Sequence, residues 1–241
     1  MLDLQGGAAG THGRQMDMLV CLPGWLPPGI HILMRMEDID MTELEKMANG
    51  YLWNDCDQYL EEQRVAKELL YEFNHSRPSE TERRSQIMQQ LFGHCGKNVW
   101  INQPLTLCRG TTISIGDGCY LNYGTTFVDD YTITIGNSVM FGPNVTICTT
   151  GHPLDPEHRG DGMYSFPVTI EDGVWIGANA VILPGVTIGK NSVIGAGSVV
   201  TRDIPANVLA VGSPCKVLPP FDERDKEYYY RDHRFSDLPK E

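Results

Sequence analysis

The stretch Ile170-Glu-Asp-Gly-Val-Trp-Ile-Gly-Ala-Asn-Ala-Val-Ile-Leu-Pro-Gly-Val-Thr-Ile-Gly-Lys-Asn-Ser-Val-Ile-Gly-Ala-Gly-Ser-Val-Val200 places an apolar residue at every sixth position: Ile170, Ile176, Ile182, Ile188, Ile194 and Val200. A helix repeats every 3.6 residues and a strand every two, so neither writes a strict six. A six-residue apolar period is the mark of a parallel β-helix, in which each repeat forms one flat side of a coil. Glycine often follows the apolar residue (Gly177, Gly189 and Gly195, with Gly136 and Gly142 earlier), where the backbone must turn tightly. Three sides make a coil of 18, and residues 170–200 fill two of them.

Working outward, Ile115, Leu121 and Phe127 hold one register, and after two extra residues Ile135, Phe141 and Ile147 hold the next. Between Ile147 and Ile170 lie 23 positions, five more than a coil of 18, so the chain is expected to leave the coil there as a polar loop. Loops thrown from a rigid scaffold commonly carry function. The coil is expected to end near Ile204–Pro205, with Val208–Val217 as a final strand and Phe221–Glu241 as a charged, aromatic tail forming a short helix or lying along the surface. Upstream, residues 41–93 read as helical. Thr42 and Glu45 form a capping box with Gly50 as a stop, and Asp55–Asn74 sets Val65, Leu69 and Phe73 on one face. Pro78 breaks that helix. Ser79 and Glu82 form a second capping box ahead of Ile87, Met88, Leu91 and Phe92, and Gly93 closes the unit. The terminal layer of a solenoid needs covering, so this unit is expected to cap one end. The organisation predicted is a flexible extension over 1–40, a helical cap over 41–93, the β-helix over 94–220 with an excursion over about 148–169, and a tail over 221–241.

The balance of 19 basic against 31 acidic residues gives a net charge of −12, which disfavours nucleic acid as a partner. Seven cysteines with no CxxC pair predict free thiols and a cytoplasmic protein. The short apolar runs at Met18–Leu22 and Ile30–Met34 are divided by Pro23, Gly24, Pro27 and Pro28, too broken for a membrane span or a secretory signal. Translation from Met34, Met36 or Met41 would dispense with this extension. No cysteine lies in a helix-start or His-paired context, so no nucleophile is marked to carry an acyl group.

The run from Ile176 to Ile204 resembles the hexapeptide acyltransferases. Tyr71-Glu-Phe-Asn-His-Ser, Val128-Asp-Asp-Tyr-Thr, Thr150-Gly-His-Pro, Met163-Tyr-Ser-Phe-Pro and Gly212-Ser-Pro-Cys tighten the likeness to galactoside and maltose O-acetyltransferases. The tail from Asp222 leans toward the galactoside type, and the likeness covers about Met41 to Asp232. It implies a single-stranded left-handed parallel β-helix, a hand that the period alone leaves open. It further implies a homotrimer with sites between subunits, acetyl-CoA as co-substrate, no metal, and a small sugar acceptor.

The resemblance assigns His152 as general base, a task that neutral imidazole suits near neutral pH. Asn122 matches a position near the reacting oxygen and, with Asp130, contacts the sugar; both residue types also populate coil turns for their own reasons. Tyr120 and Met163 would line the sugar ring. Asp55 matches an acidic acceptor contact, with Asp57 as its rival. Cys108 stands where the galactoside enzymes carry Ser, a departure that bears on the preferred sugar. For the donor, the resemblance implies the Ala178 N–H as oxyanion donor, Trp175 along the groove, Ala196 and Thr201 on the cofactor, and Arg202 and Lys216 toward its phosphates. Pro219 replaces a further basic residue of the family.

The implied function is acetyl transfer to a sugar hydroxyl by direct attack in a ternary complex. An amino sugar, an oligosaccharide or an antibiotic would take the same chemistry. A non-catalytic scaffold would lack the base, and His152 is present. A zinc site on the same coil needs three converging imidazoles, and of the histidines only His152 and His158 share the loop.

Overall fold

The computed structural model describes residues 41–219 and 221–239. The extension expected over 1–40, with its alternative starts, lies outside the described residues.

Strands of two or three residues wind into three flat faces. The first face stacks His94–Cys95, Ile113–Ile115, Ile133–Ile135, Val168–Ile170 and Thr187–Ile188. The second stacks Trp100–Ile101, Tyr120–Leu121, Met140–Phe141, Trp175–Ile176, Val193–Ile194 and Leu209–Val211. The third stacks Thr126–Val128, Thr146–Cys148, Val181–Ile182 and Val199–Val200. All of these pairings are parallel, and equivalents of the two sequence registers sit on one another: Ile115 on Ile135, Ile135 on Ile170, Ile170 on Ile188. Every apolar residue of the three six-residue runs, from Ile115 to Val200, is at most 2% exposed. Each such side chain taken out of water contributes about 1.5–3 kcal/mol, and the stack repeats that gain coil after coil.

Those pairings measure each coil. Ile115 to Ile135 is 20 positions, Ile135 to Ile170 is 35, and Ile170 to Ile188 is 18. The excursion is therefore 17 residues long rather than five, because Ile147 stacks on Ile182 while Ile170 belongs to the following face. All the extra length leaves at one edge, between the third and first faces. There the chain forms a hairpin, with Thr150–Gly151 antiparallel to Tyr164–Ser165.

Helix α1 (Glu43–Ala48) buries Met47 and turns at Gly50, whose φ of +76° suits a residue without a Cβ. Helix α2 (Asp57–His75) starts two residues later than expected, after Asp55. Its buried face is Tyr59, Ala66 and Phe73, and Val65 points outward, 46% exposed. The seven-residue spacing follows one side for the helix's whole length, whereas the line through Val65 drifts off it. Helix α3 (Thr81–Leu91) forms without the Ser79–Glu82 box. Glu80 is its N-cap residue with no side-chain cap, and its carboxylate instead accepts the N–H of Arg77 at 2.7 Å. Gly93 does not reverse the chain; a Cβ there would lie 2.2 Å from the Thr111 carbonyl oxygen, so it permits close approach to the first coil. Phe73, Ile87, Met88, Leu91 and Phe92 share one apolar cluster with Ile101 and Leu105 of that coil.

At the other end, Val208–Val217 is a hairpin rather than one strand. Leu209–Val211 continues the second face, and Lys216–Val217 returns antiparallel to it. The tail holds the expected short helix α4 (Glu223–Glu227), plus an antiparallel pair, Tyr228–Tyr230 with His233–Arg234.

Candidate active site

The edge between the third and first faces is built from stacked turns. Asp129 organises two of them: its carboxylate accepts the N–H of Cys108 at 2.6 Å and of Gly110 at 2.6 Å, with Thr112 Oγ1 at 2.8 Å. Burial pushes the Asp129 carboxyl above its ordinary range, against the pull of these donors. Asp130 beside it is also buried, and the Tyr59 hydroxyl donates to its Oδ1. Burial first, then the neighbouring Asp130, drives the Tyr59 hydroxyl well above its usual pKa, so it stays a donor. Arg109 spans the same turn, donating to the Asp130 carbonyl at 2.8 Å and to Glu62 of α2 through Nε at 2.9 Å. Burial, and then the Asp130 and Asp129 carboxylates, push the Cys108 thiol up to about 12.

A second tie runs to the hairpin. Trp53 and Met163 exchange backbone hydrogen bonds at 3.0 and 2.9 Å, and the Trp53 indole donates to Ser165 Oγ at 3.0 Å. Ser165 Oγ also meets Thr150 Oγ1 at 2.6 Å. The segment from Trp53 to Glu62 is thus a strap along this edge, with Met47, Trp53 and Tyr59 forming an apolar cluster against Tyr131 and Met163. His152 follows the outgoing hairpin strand directly. It is exposed and makes no hydrogen bond among the described residues. His158, further along, pairs with Asp161 at 2.8 Å.

The edge between the second and third faces carries a different set. Asn122 accepts the Tyr123 N–H at 2.9 Å through its own side chain and the Thr125 hydroxyl at its carbonyl. Two coils on, Ala178 accepts from the Gly197 N–H at 2.8 Å, while its own N–H has no partner among the described residues. Ala178 itself is half-buried. Gly142 stacks against it so closely that a Cβ there would lie 2.6 Å from the Ala178 nitrogen, and Gly177 packs in the same way on Ala196 of the next coil, at 2.5 Å. Trp100, Tyr120, Met140 and Trp175 stand in line on the outer side of the second face, each 39–50% exposed. Asn102 bridges the first two, accepting from the Trp100 indole and donating to the Tyr120 hydroxyl.

The sequence candidates therefore divide by place. Cys108, Asp130, His152 and Met163 share the third–first edge, with Asp55 exposed just before α2 and Asp57 inside its first turn. Thr201 and Arg202 lie on that edge two coils further on, both exposed. Asn122, Ala178 and Ala196 lie on the second–third edge, with Tyr120 and Trp175 beside it and Lys216 exposed on the closing hairpin. One chain does not bring Asn122 and His152 together, because a flat side of the coil separates their edges. Tyr59, Glu62, Arg109, Asp129, Trp53 and Ser165 were not legible as site residues; the one available signal was the Tyr59–Ala66–Phe73 spacing. Cys56 is the N-cap residue of α2, so one cysteine does stand at a helix start, contrary to expectation. It is packed in the strap's apolar cluster. Among the described residues no group of three or more His, Cys, Asp or Glu could hold a metal ion, and no helix is long and apolar enough to cross a membrane.

Comparison with known proteins places this geometry. Residues 167–202 match the bacterial transferase hexapeptide (six repeats) model, and residues 46–96 match the maltose acetyltransferase hexapeptide capping motif. The galactoside O-acetyltransferase of Escherichia coli (strain K12) is 50% identical over 198 residues, 81% of this chain and 98% of the relative. A galactoside acetyltransferase solved in complex with coenzyme A superposes with a TM-score of 0.76 at 47% identity, covering 81% of this chain and 98% of that one. A maltose O-acetyltransferase from Clostridium difficile 630 superposes with a TM-score of 0.74 at 44% identity, covering 76% and 99%. The fold and its edges are those of a left-handed β-helix acyltransferase. The chain belongs to the galactoside and maltose O-acetyltransferase family of that class.

Proposed function

We propose that this enzyme transfers the acetyl group of acetyl-CoA to a hydroxyl of a small sugar, with His152 as general base. The reading rests on one observation above the others: His152 is exposed and free at the root of the hairpin, on the same edge as Asp130 and Cys108. The imidazole takes the hydroxyl proton as the sugar oxygen attacks the thioester carbonyl. The tetrahedral oxyanion accepts the free N–H of Ala178. When the C–S bond breaks, the imidazolium returns its proton to the departing thiolate. Asp130 holds the acceptor, and Met163, Asp55 and the neutral Cys108 thiol surround it. The pantetheine and nucleotide run past Trp175, Ala196 and Thr201 toward Arg202 and Lys216. The unpartnered N–H of half-buried Ala178, with Gly142 packed close against that residue, fits a thioester lying along that edge.

The separation of Asn122 from His152 favours a homotrimer in which one copy's second–third edge meets another's third–first edge. Each site would then draw His152 from one subunit and Asn122, Tyr120 and Ala178 from the next. Six described cysteines are free thiols, the form a reducing cytoplasm maintains, and we place the enzyme there. A second reading keeps the chemistry but changes the acceptor to an amino sugar, an oligosaccharide or an antibiotic. Cys108 favours it, since a thiol donates a weaker hydrogen bond than a hydroxyl.

Thiol release from acetyl-CoA, measured against mono- and disaccharides, tests the proposal. The wild type should turn over with at least one sugar, and His152→Ala should lose about 10²-fold or more of kcat with the oligomer intact. Turnover with no sugar overturns the acceptor class, and a loss of less than tenfold removes His152 as base.

A further inference from the structure

We propose that the cavity between α3 and the first coil is a binding site for a small organic anion, a carboxylate carried on a flat apolar body. The cavity encloses about 690 Å³, within the range of sites for small molecules. It lies at the N-terminal end of the coil, lined by none of the residues of the hairpin, and meets the outer row of the second face only at its first member, Trp100.

Its floor holds Arg84 of α3, which is 6% exposed. The guanidinium donates to the Ile101 carbonyl at 2.6 Å and lies 5.1 Å from the Phe73 ring centre and 5.3 Å from that of Trp100. Among the described residues no carboxylate stands within ion-pair distance of it, and one hydrogen bond occupies only one of its five N–H donors. Every other well-buried charged side chain of this fold has a counterpart. Asp129 has its ring of donors, Asp130 has Tyr59, and Arg109 has Glu62. A guanidinium keeps its charge at any physiological pH, and the Arg84 donors not used by Ile101 are not sealed in the core but face solvent at the cavity it lines. An anion entering the cavity can take those donors in two parallel hydrogen bonds, the arrangement a carboxylate fits best.

The rim and walls define the rest of the ligand. Lys97 stands exposed at the mouth, giving a cationic approach on a chain whose net charge is −12, with the His94 ring exposed beside it. The one carboxylate on the lining, Asp117, is engaged with the Lys97 backbone N–H at 2.7 Å. Met88 and the Trp100 ring supply an apolar wall beside the guanidinium. A flat ring slides along such a wall while its carboxylate reaches Arg84.

Isothermal titration of the intact full-length protein with benzoate, benzamide and inorganic phosphate tests this. Benzoate should bind saturably, and benzamide and phosphate should each bind about tenfold or more weakly, because one lacks the charge and the other the ring. Arg84→Gln removes the anchor but also a tie to the coil, so the rim variant Lys97→Glu provides the independent arm. It should weaken benzoate about tenfold while keeping the wild-type melting temperature without ligand. Equal binding of benzoate and benzamide, binding of phosphate as tightly as benzoate, no effect of Lys97→Glu, or no benzoate binding would each overturn the proposal.

Discussion

The Trp53 indole donates to Ser165 Oγ at 3.0 Å across 112 positions of sequence, fastening the N-terminal strap to the hairpin that presents His152. Ser165 passes the tie to Thr150 at 2.6 Å, two residues from His152. The hairpin loop is therefore held from both its strands, and Trp53, which fastens it, comes from outside the repeat.

Trp53→Phe keeps a ring in the buried site and deletes the donor. Because Ser165 retains Thr150 as a partner, the cost should be modest, about 1–3 kcal/mol, or roughly 2–10 °C in Tm. Differential scanning calorimetry would measure it. Limited proteolysis should cut the 152–162 loop faster, and turnover should fall more steeply than stability.

Tyr59→Phe frees Asp130 from its buried donor. If Asp130 holds the acceptor as proposed, acceptor KM should rise about 3–30-fold while the KM for acetyl-CoA holds, since only the acceptor end loses its positioning. Steady-state kinetics in both substrates separate the two. Parallel rises in both constants would mean the loss is structural.

Gly142→Ala would set a Cβ 2.6 Å from the Ala178 nitrogen, a contact that must be relieved by moving one coil from the next. Destabilisation of about 1–3 kcal/mol is expected, with a drop of roughly 2–10 °C in Tm. Gly160→Ala is the control, because nothing lies within 4 Å of the added carbon. Thermal melts of the two variants should differ accordingly.

Asn122→Ala and His152→Ala should each be nearly inactive alone. If the two residues serve one site from neighbouring copies, refolding the variants together restores intact sites at about one in four. Activity of the mixture, against each variant alone, reads this directly. Continued inactivity would place both residues of a site on one chain.

The Cys108 thiol, pushed up to about 12, stays protonated throughout the neutral range. Thiolate is the reactive form, so iodoacetamide at about pH 8 should modify Cys108 far more slowly than an unfolded control. Peptide mass spectrometry after timed labelling checks it. Cys108→Ser should leave stability within about 1 kcal/mol of wild type while changing the ranking of acceptors, since a hydroxyl is the stronger donor.

The period of six was legible because it is written by the residues that face inward. Each coil repeats the same environment, so burial alone selects Ile, Val, Leu or Phe at the same phase. The corners were legible for a related reason. Left-handed turn positions at Asn144, Asn179 and Asn191 take the residue types that tolerate positive φ. The two extra residues after Phe127 were likewise visible as a slip in phase. The size of the excursion was misread because a count between Ile147 and Ile170 cannot tell which face each belongs to; only the pairing of Ile147 with Ile182 does that.

The helices were harder to read. Val65 lies in line with Leu69 and Phe73 at helical spacing, yet the side that packs on the coil is set by the partner and not by the helix. Ser79 and Glu82 had the spacing of a capping box, but Glu80 takes the N-cap position without a side-chain cap, its carboxylate turned back to the Arg77 N–H.

Local chemistry and periodicity thus determined the coil, its apolar core, its turns and the position of a histidine at its exit. These features repeat at short range and recur in every layer. Which residues share that edge of the coil was decided in three dimensions. Tyr59, Arg109, Glu62, Trp53 and Ser165 meet only when a helix from outside the repeat lies along one edge, over separations of 47 to 112 positions. Contacts of that span leave no period in the chain, because each is made once.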